Sequence, residues 1–109
     1  MGKPSALVQG TLDFLILRTI ELEPKHGWGI AKRIEQISGD ALQVPQGSLY
    51  PALYRLQRQG WIVARPGRID SGREVNFYSL TAAGRAHLKK EVANWNKLSS
   101  AIDLVIKLA

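Results

Sequence analysis

The last quarter of the chain sets the tightest limit on what it can become. Thr81 is a natural N-cap, and from there Leu88, Trp95, Ile102 and Ala109 step by seven, with Leu98 and Val105 at the intermediate positions. Glu91 interrupts the earliest intermediate position, while Val92 and Ile106 broaden the stripe. This heptad-like seam predicts one helix over residues 82–108, about 27 residues and roughly 40 Å long. A chain of 109 residues forms one compact domain by the usual size scaling. Such a helix cannot lie fully against so small a body. The expected solution is a homodimer, in which Leu88, Val92, Trp95, Leu98, Ile102, Val105 and Ile106 meet a symmetry mate and the first helix packs underneath.

The second organising stretch is Val44 to Gly60. Leu49, Leu53 and Leu56 fall at i, i+4 and i+7 and share one side of a helix. At about 100° per residue, Pro51, Tyr54, Arg55 and Arg58 fall on the other side, with Gln46 and Ser48 at the N-terminal end. Pro51 is tolerated if the helix starts near Gly47 or Ser48, which puts the missing N–H in the first turn. Gly60 is the expected residue just past the C-terminus. A core-anchored helix with two guanidinium forks, a phenol and no carboxylate on its outer face suits major-groove reading. An ordinary amphipathic helix with a solvated basic side would show the same pattern, so the flanking segments decide.

Upstream, Leu12-Asp13-Phe14-Leu15-Ile16-Leu17-Arg18-Thr19-Ile20 is densely apolar and lacks strand alternation. It predicts helix 1 over residues 6–22, buried on most of its circumference, ended by Pro24. His26-Gly27-Trp28-Gly29-Ile30 then reads as a turn into helix 2, where Ile30, Ile34 and Ile37 repeat the core spacing and Gly39-Asp40 stops the run. A link of about five residues leads to the Val44–Gly60 helix. Two helices so joined make a helix-turn-helix, and the link is longer than the tightest version allows, which points to a winged form.

Downstream, Trp61-Ile62-Val63-Ala64-Arg65 and Val75-Asn76-Phe77-Tyr78-Ser79-Leu80 are β-rich and flank a turn-rich basic segment. They predict a hairpin with its tip near Asp70-Ser71-Gly72, along which Arg65, Arg68 and Arg73 lie in reach of phosphate or a minor groove. The fold class expected is therefore mainly α with a small β-hairpin (α+β): a winged helix-turn-helix domain over residues 1–81, and a dimerisation helix over residues 82–109.

Charge agrees with a polyanion partner. The net charge is +6, yet residues 1–24 carry two basic and three acidic side chains, whereas residues 25–73 carry eight basic and three acidic. Double-stranded DNA is the expected partner. A protein-interaction module that borrows the winged shape is the alternative, and it would not need the outward arginines. Catalysis is not expected. His26 and His87 are isolated, no cysteine is present, and no metal-ligand spacing or cofactor fingerprint occurs. No apolar run approaches a membrane span and no signal-peptide pattern opens the chain, so the expected location is the cytoplasm.

These stretches together resemble the PadR-like transcriptional regulators, a family named for a phenolic-acid-responsive repressor. The resemblance rests on Leu17, on His26-Gly27-Trp28-Gly29-Ile30, and on Gly47-Ser48-Leu49-Tyr50-Pro51-Ala52-Leu53-Tyr54-Arg55-Leu56 with Gly60-Trp61-Ile62. Phe77-Tyr78-Ser79-Leu80-Thr81-Ala82-Ala83-Gly84-Arg85 and Trp95 complete it, so that it covers residues 6–108. It implies a bacterial homodimeric winged-helix repressor on an inverted-repeat operator. On that reading the outer face of the helix puts Pro51, Tyr54, Arg55 and Arg58 toward the groove and Gln46, Ser48 and Tyr50 near the DNA backbone, with Tyr50 either donating to phosphate or simply packing. Some members release DNA on binding a small aromatic or lipophilic effector, with a tryptophan at the place of Trp95. Trp95 with Phe14 is the expected ligand-binding pair here, and simple filling of the dimer seam by Trp95 is the alternative. The chain departs from the family where basic residues commonly precede the aromatic pair of the wing: Glu74, Val75 and Asn76 stand there, and the returning strand is less positive.

Overall fold

A computed structural model describes residues 9–108. In chain order the elements are α1 (Gln9–Ile20), β1 (Lys25–His26), α2 (Gly27–Ile37), α3 (Gln46–Arg58), β2 (Ile62–Arg68), β3 (Glu74–Leu80) and α4 (Ala82–Ile106). The protein is thus an α+β fold, four helices with a three-stranded antiparallel sheet in the order β1-β3-β2. Residues 6–8 of the expected first helix lie outside the described residues, and the helix stops at Ile20, two residues before the expected end.

Three helices meet in one apolar core. Leu12, Ile16, Leu17 and Ile20 of α1, Ile30, Ala31 and Ile34 of α2, and Leu49, Ala52, Leu53 and Leu56 of α3 are buried, closed at one side by Ile62, Tyr78 and Leu88. Each set follows helical periodicity, so the core is what the spacing dictates. On α1, Phe14 and Leu15 are already half covered by the same chain.

Strand β1 is an addition to the expected hairpin. Lys25 and His26 pair with Tyr78 and Phe77, and two residues are too few for alternation to declare a strand. His26 then caps α2, its Nδ1 accepting from the Gly29 amide at 3.2 Å, and its ring meets Phe77 edge-on at 5.8 Å. What reads as a turn is therefore a strand end and a helix start. The hairpin pairs from Ile62↔Leu80 to Arg68↔Glu74. It runs on through Pro66 because β2 is an edge strand, where proline is tolerated. Gly67, paired with Val75, leaves room for the ring of Phe77, which reaches diagonally across and would lie 2.7 Å from a Cβ there.

The hairpin delivers the chain to α4. Thr81 accepts from the Gly84 amide at 3.0 Å and donates to the Gly60 carbonyl at 2.6 Å, joining the end of α3 to the start of α4. Gly84 presses on the Trp61 carbonyl so closely that a Cβ would stand 1.9 Å from its oxygen. One turn on, His87 stacks on the Trp61 ring at 3.6 Å. Both histidines thus have packing or capping roles.

Leu88 was expected in the dimer seam, and the structure corrects this: it is 1% exposed and completes the core of its own chain. Val92 also packs against that core. The first three turns of α4, Ala82 to Val92, cross the domain before the helix leaves it, so a heptad position there serves the monomer. Beyond Val92 the helix projects. Trp95, Leu98, Ile102, Val105 and Ile106 are all exposed, joined by Leu104 and Leu108. The projection stretches the molecule to a radius of gyration of 15.3 Å, against about 13 Å for a compact chain of 100 residues.

Candidate nucleic-acid interface

The link between α2 and α3 spans residues 38–45, eight residues rather than about five. Gly39 and Asp40 both take left-handed conformations, with φ of 60° and 65°, so the chain turns back before it advances. The turn is held by side chains of its own: Ser38 Oγ accepts from the Leu42 amide at 3.0 Å, and Glu35 Oε2 accepts from the Val44 amide at 3.0 Å. Glu35 therefore fixes the entry to α3, a role that periodicity alone does not reveal.

α3 begins at Gln46, with Pro45 as N-cap and no side-chain cap bond. This start is one to two residues earlier than expected and moves Pro51 into the second turn, where its missing N–H leaves the exposed Gly47 carbonyl without an i+4 donor. Gly60 ends the helix in a left-handed conformation, φ 78°, as expected. Leu49, Ala52, Leu53 and Leu56 face the core. Gln46, Ser48, Tyr50, Pro51, Tyr54, Gln57 and Arg58 are exposed, and α3 contains no Asp or Glu. The Arg58 guanidinium lies 5.8 Å from the Tyr54 ring centroid, a cation–π pair that holds a positive charge on the outer face.

Arg55 behaves differently. The expectation that it shares the outward face with Arg58 is not met, because it is half-buried and its Nη2 donates to Asp13 Oδ1 of α1 at 2.9 Å. On a helical wheel it sits about 70° from the centre of the exposed arc, on the flank nearest α1. Local spacing placed it outward because the carboxylate that captures it lies 42 positions away in sequence.

The wing stands beside this face. Arg65, Arg68 and Arg73 are all exposed. Arg68 Nη2 meets Glu74 Oε2 at 3.1 Å and its Nη1 reaches the Gly72 carbonyl at 3.2 Å, so Glu74 offsets one of the three charges. Between the wing and the start of α3 lies a cleft of about 140 Å³ lined by His26, Gly27, Trp28, Tyr50, Arg73, Val75, Asn76 and Tyr78. None of its lining residues is a carboxylate. The Tyr50 hydroxyl packs over Gly27, where a Cβ would meet it at 2.9 Å. The Tyr78 phenol ionises above its ordinary value, first because it is buried and second because the Tyr50 phenol is close, while Asn76 pulls in the opposite direction. Trp28, with Lys32 5.2 Å from its ring centroid, extends the surface along α2. Trp28, Lys32, Asn76 and Tyr78 are not among the DNA-contact residues expected from the sequence, although Trp28, Asn76 and Tyr78 fall within the stretches compared with the family. Their common signal, polar or aromatic residues at the edges of apolar periodicity, is too general to select them.

On the opposite side, α1 and α4 frame a second depression of about 400 Å³, lined by Gly10, Thr11, Phe14, Glu91, Asn94, Trp95 and Leu98. The Phe14 and Trp95 rings are 6.5 Å apart and tilted by 42°. The structure therefore brings the expected ligand-binding pair together. Glu91 is the one ionisable residue among those lining the depression.

No described helix is long and apolar enough to cross a membrane. Among the described residues no cluster of three or more His, Cys, Asp or Glu could hold a metal.

Comparison with known proteins agrees with this geometry. An uncharacterised protein of Lysinibacillus sphaericus is 29% identical over 103 residues, covering 94% of each chain. A crystal structure of a Streptococcus mutans protein superposes with a TM-score of 0.85 at 23% identity, covering 97% of this chain and 95% of that one. A PadR-like transcriptional regulator from Bacillus cereus superposes with a TM-score of 0.81 at 23% identity, covering 93% and 96%. The sequence profile of the transcriptional regulator PadR-like family matches residues 16–90. With the helix-turn-helix, the wing and the α4 junction all inside that match, which spans about two-thirds of the sequence, this chain belongs to the PadR-like family of transcriptional regulators.

Proposed function

We propose that the protein is a homodimeric repressor that binds an inverted-repeat operator in double-stranded DNA. Residues 1–81 form the DNA-binding unit, residues 82–109 the dimerisation helix, and the site of action is DNA in the bacterial cytoplasm. The observation that carries this reading is the outer face of α3, which is free of carboxylates, bears Tyr54 and Arg58, and stands beside three wing arginines. Arg58 and Tyr54 read the major groove, with Gln46, Ser48 and Pro51 at its mouth. Arg65, Arg68 and Arg73 contact the backbone or the adjacent minor groove. The strand of phosphates that separates the two grooves crosses the seam between α3 and the wing, where the cleft offers the Tyr50 hydroxyl, Asn76 and Arg73. Arg55 supports α3 rather than touching bases.

The depression between Phe14 and Trp95 supports control by an effector. Two aromatic rings and a carboxylate, Glu91, suit a flat aromatic molecule, most of all a cationic one. The proposed consequence of its binding is release of DNA.

The test is fluorescence anisotropy of a labelled duplex at varied salt. The DNA reading predicts that log K falls linearly with log salt, with a slope set by the number of phosphates neutralised. It also predicts that Arg58→Ala weakens binding at every salt concentration. A protein-interaction module would give no saturable DNA binding, and Arg58→Ala would change nothing.

A further inference from the structure

Asp13 and Arg55 meet across the contact between α1 and α3, Oδ1 to Nη2 at 2.9 Å, with side chains 22% and 34% exposed. Among the described residues, Arg55 Nε is the one buried side-chain donor or acceptor atom without a hydrogen-bond partner. An outward guanidinium would give that N–H to water, as arginine's five donors normally are given. Turned inward it leaves the donor unmade, so the ion pair, and not solvation, sets the direction of the side chain. The remainder of the buried face of α3 is Leu49, Ala52, Leu53 and Leu56. Apolar contact of that kind sets which arc of the helix is buried but, being non-directional, fixes its exact rotation less sharply than a charge pair of defined geometry does. No other residue of α3 forms a salt bridge among the described residues.

We propose that Arg55 is a positioning residue: its charge pair with Asp13 locks the rotation of α3 against α1 and so aims Tyr54 and Arg58 at the groove. The inference rests on the DNA-binding reading above. It reverses the role that helical spacing assigns to Arg55, and it gives Asp13, a residue of α1 and not of α3, a stake in DNA affinity.

The experiment measures equilibrium binding of a duplex selected with the wild-type protein, across a salt series. The variants are Asp13→Asn, Arg55→Gln, the double variant, and the exchange Asp13→Arg with Arg55→Asp. The expected results are an affinity loss of about tenfold for each single variant, no further loss in the double, and an unchanged salt slope. The exchanged pair is expected to recover most of the affinity although it places a carboxylate on α3. The proposal is overturned if Arg55→Gln lowers the salt slope by about one, if Asp13→Asn tightens binding, or if the exchanged pair abolishes it, since each result makes Arg55 a phosphate or base contact. Wild-type affinity in all four variants overturns it as well. Melting temperatures at one protomer concentration separate loss of fold from loss of aim, and if a single variant fails to fold, the exchanged pair decides. Failure of the wild-type protein to select any duplex would instead sink the DNA-binding reading itself.

Discussion

Two arginines three positions apart on one helix have opposite fates. Arg58 stands in solvent over Tyr54, and Arg55 is drawn inward by Asp13. Arg58→Ala is expected to weaken operator binding by about 1–3 kcal/mol, the range for one bidentate base contact, as read by gel-shift titration. Among the described glycines the tightest position is Gly84, where a Cβ would stand 1.9 Å from the Trp61 carbonyl oxygen. That oxygen is backbone and cannot rotate away. Gly84→Ala should therefore destabilise the protein by about 1–3 kcal/mol, as overpacking does, read as a lower melting temperature at fixed protomer concentration. Tyr78 gives a pH signature. Its folded pKa is raised above 10.0, by burial first, so its contribution to stability is complete below the unfolded value. As pH rises past that value the unfolded chain ionises first, and stability falls. Urea midpoints measured from about pH 8 to about pH 11 should therefore decline less steeply for Tyr78→Phe than for the wild-type protein.

At the scale of elements, the local patterns that declared themselves were those a few residues can encode. The Leu49-Leu53-Leu56 stripe, the Gly60 stop and the Thr81 cap all stand where periodicity and turn chemistry put them. Features that depend on a distant partner were not legible. Lys25 and His26 become a strand because β3 offers an edge, and Arg55 turns inward because α1 offers a carboxylate. Leu88 shows a third kind of difficulty. A heptad position looks alike whether its neighbour is the chain's own core or a second chain, and burial within the chain decides for the core. The remaining seam can be tested directly. Ile102 is 45% exposed, so Ile102→Asp on a monomer would be a surface change worth within about 0.5 kcal/mol. In a seam between two helices it buries an unpaired charge, and sedimentation velocity should then show dissociation to monomers. The wing is separable in the same way: Arg65→Ala should reduce the salt slope of DNA binding by about one while leaving sequence preference intact.

For the molecule as a whole, the proposed function depends on geometry that one chain cannot supply. A single α3 covers a few base pairs, whereas two joined through α4 would present a symmetric pair of arginine-bearing helices to one face of the duplex. The projecting apolar length of α4, from Trp95 to Leu108, is the surface that would join them, and the depression between Phe14 and Trp95 adjoins it. An effector seated there would act on the spacing of the two helices without touching either. The most direct measurement is selection of bound sequences from random duplexes, followed by determination of the protein-to-DNA ratio on the winner. The account predicts an inverted repeat whose half-site centres lie about one helical turn apart, roughly 34 Å, bound by two chains per duplex. A winner without two-fold symmetry, or one held by a single chain, would contradict it.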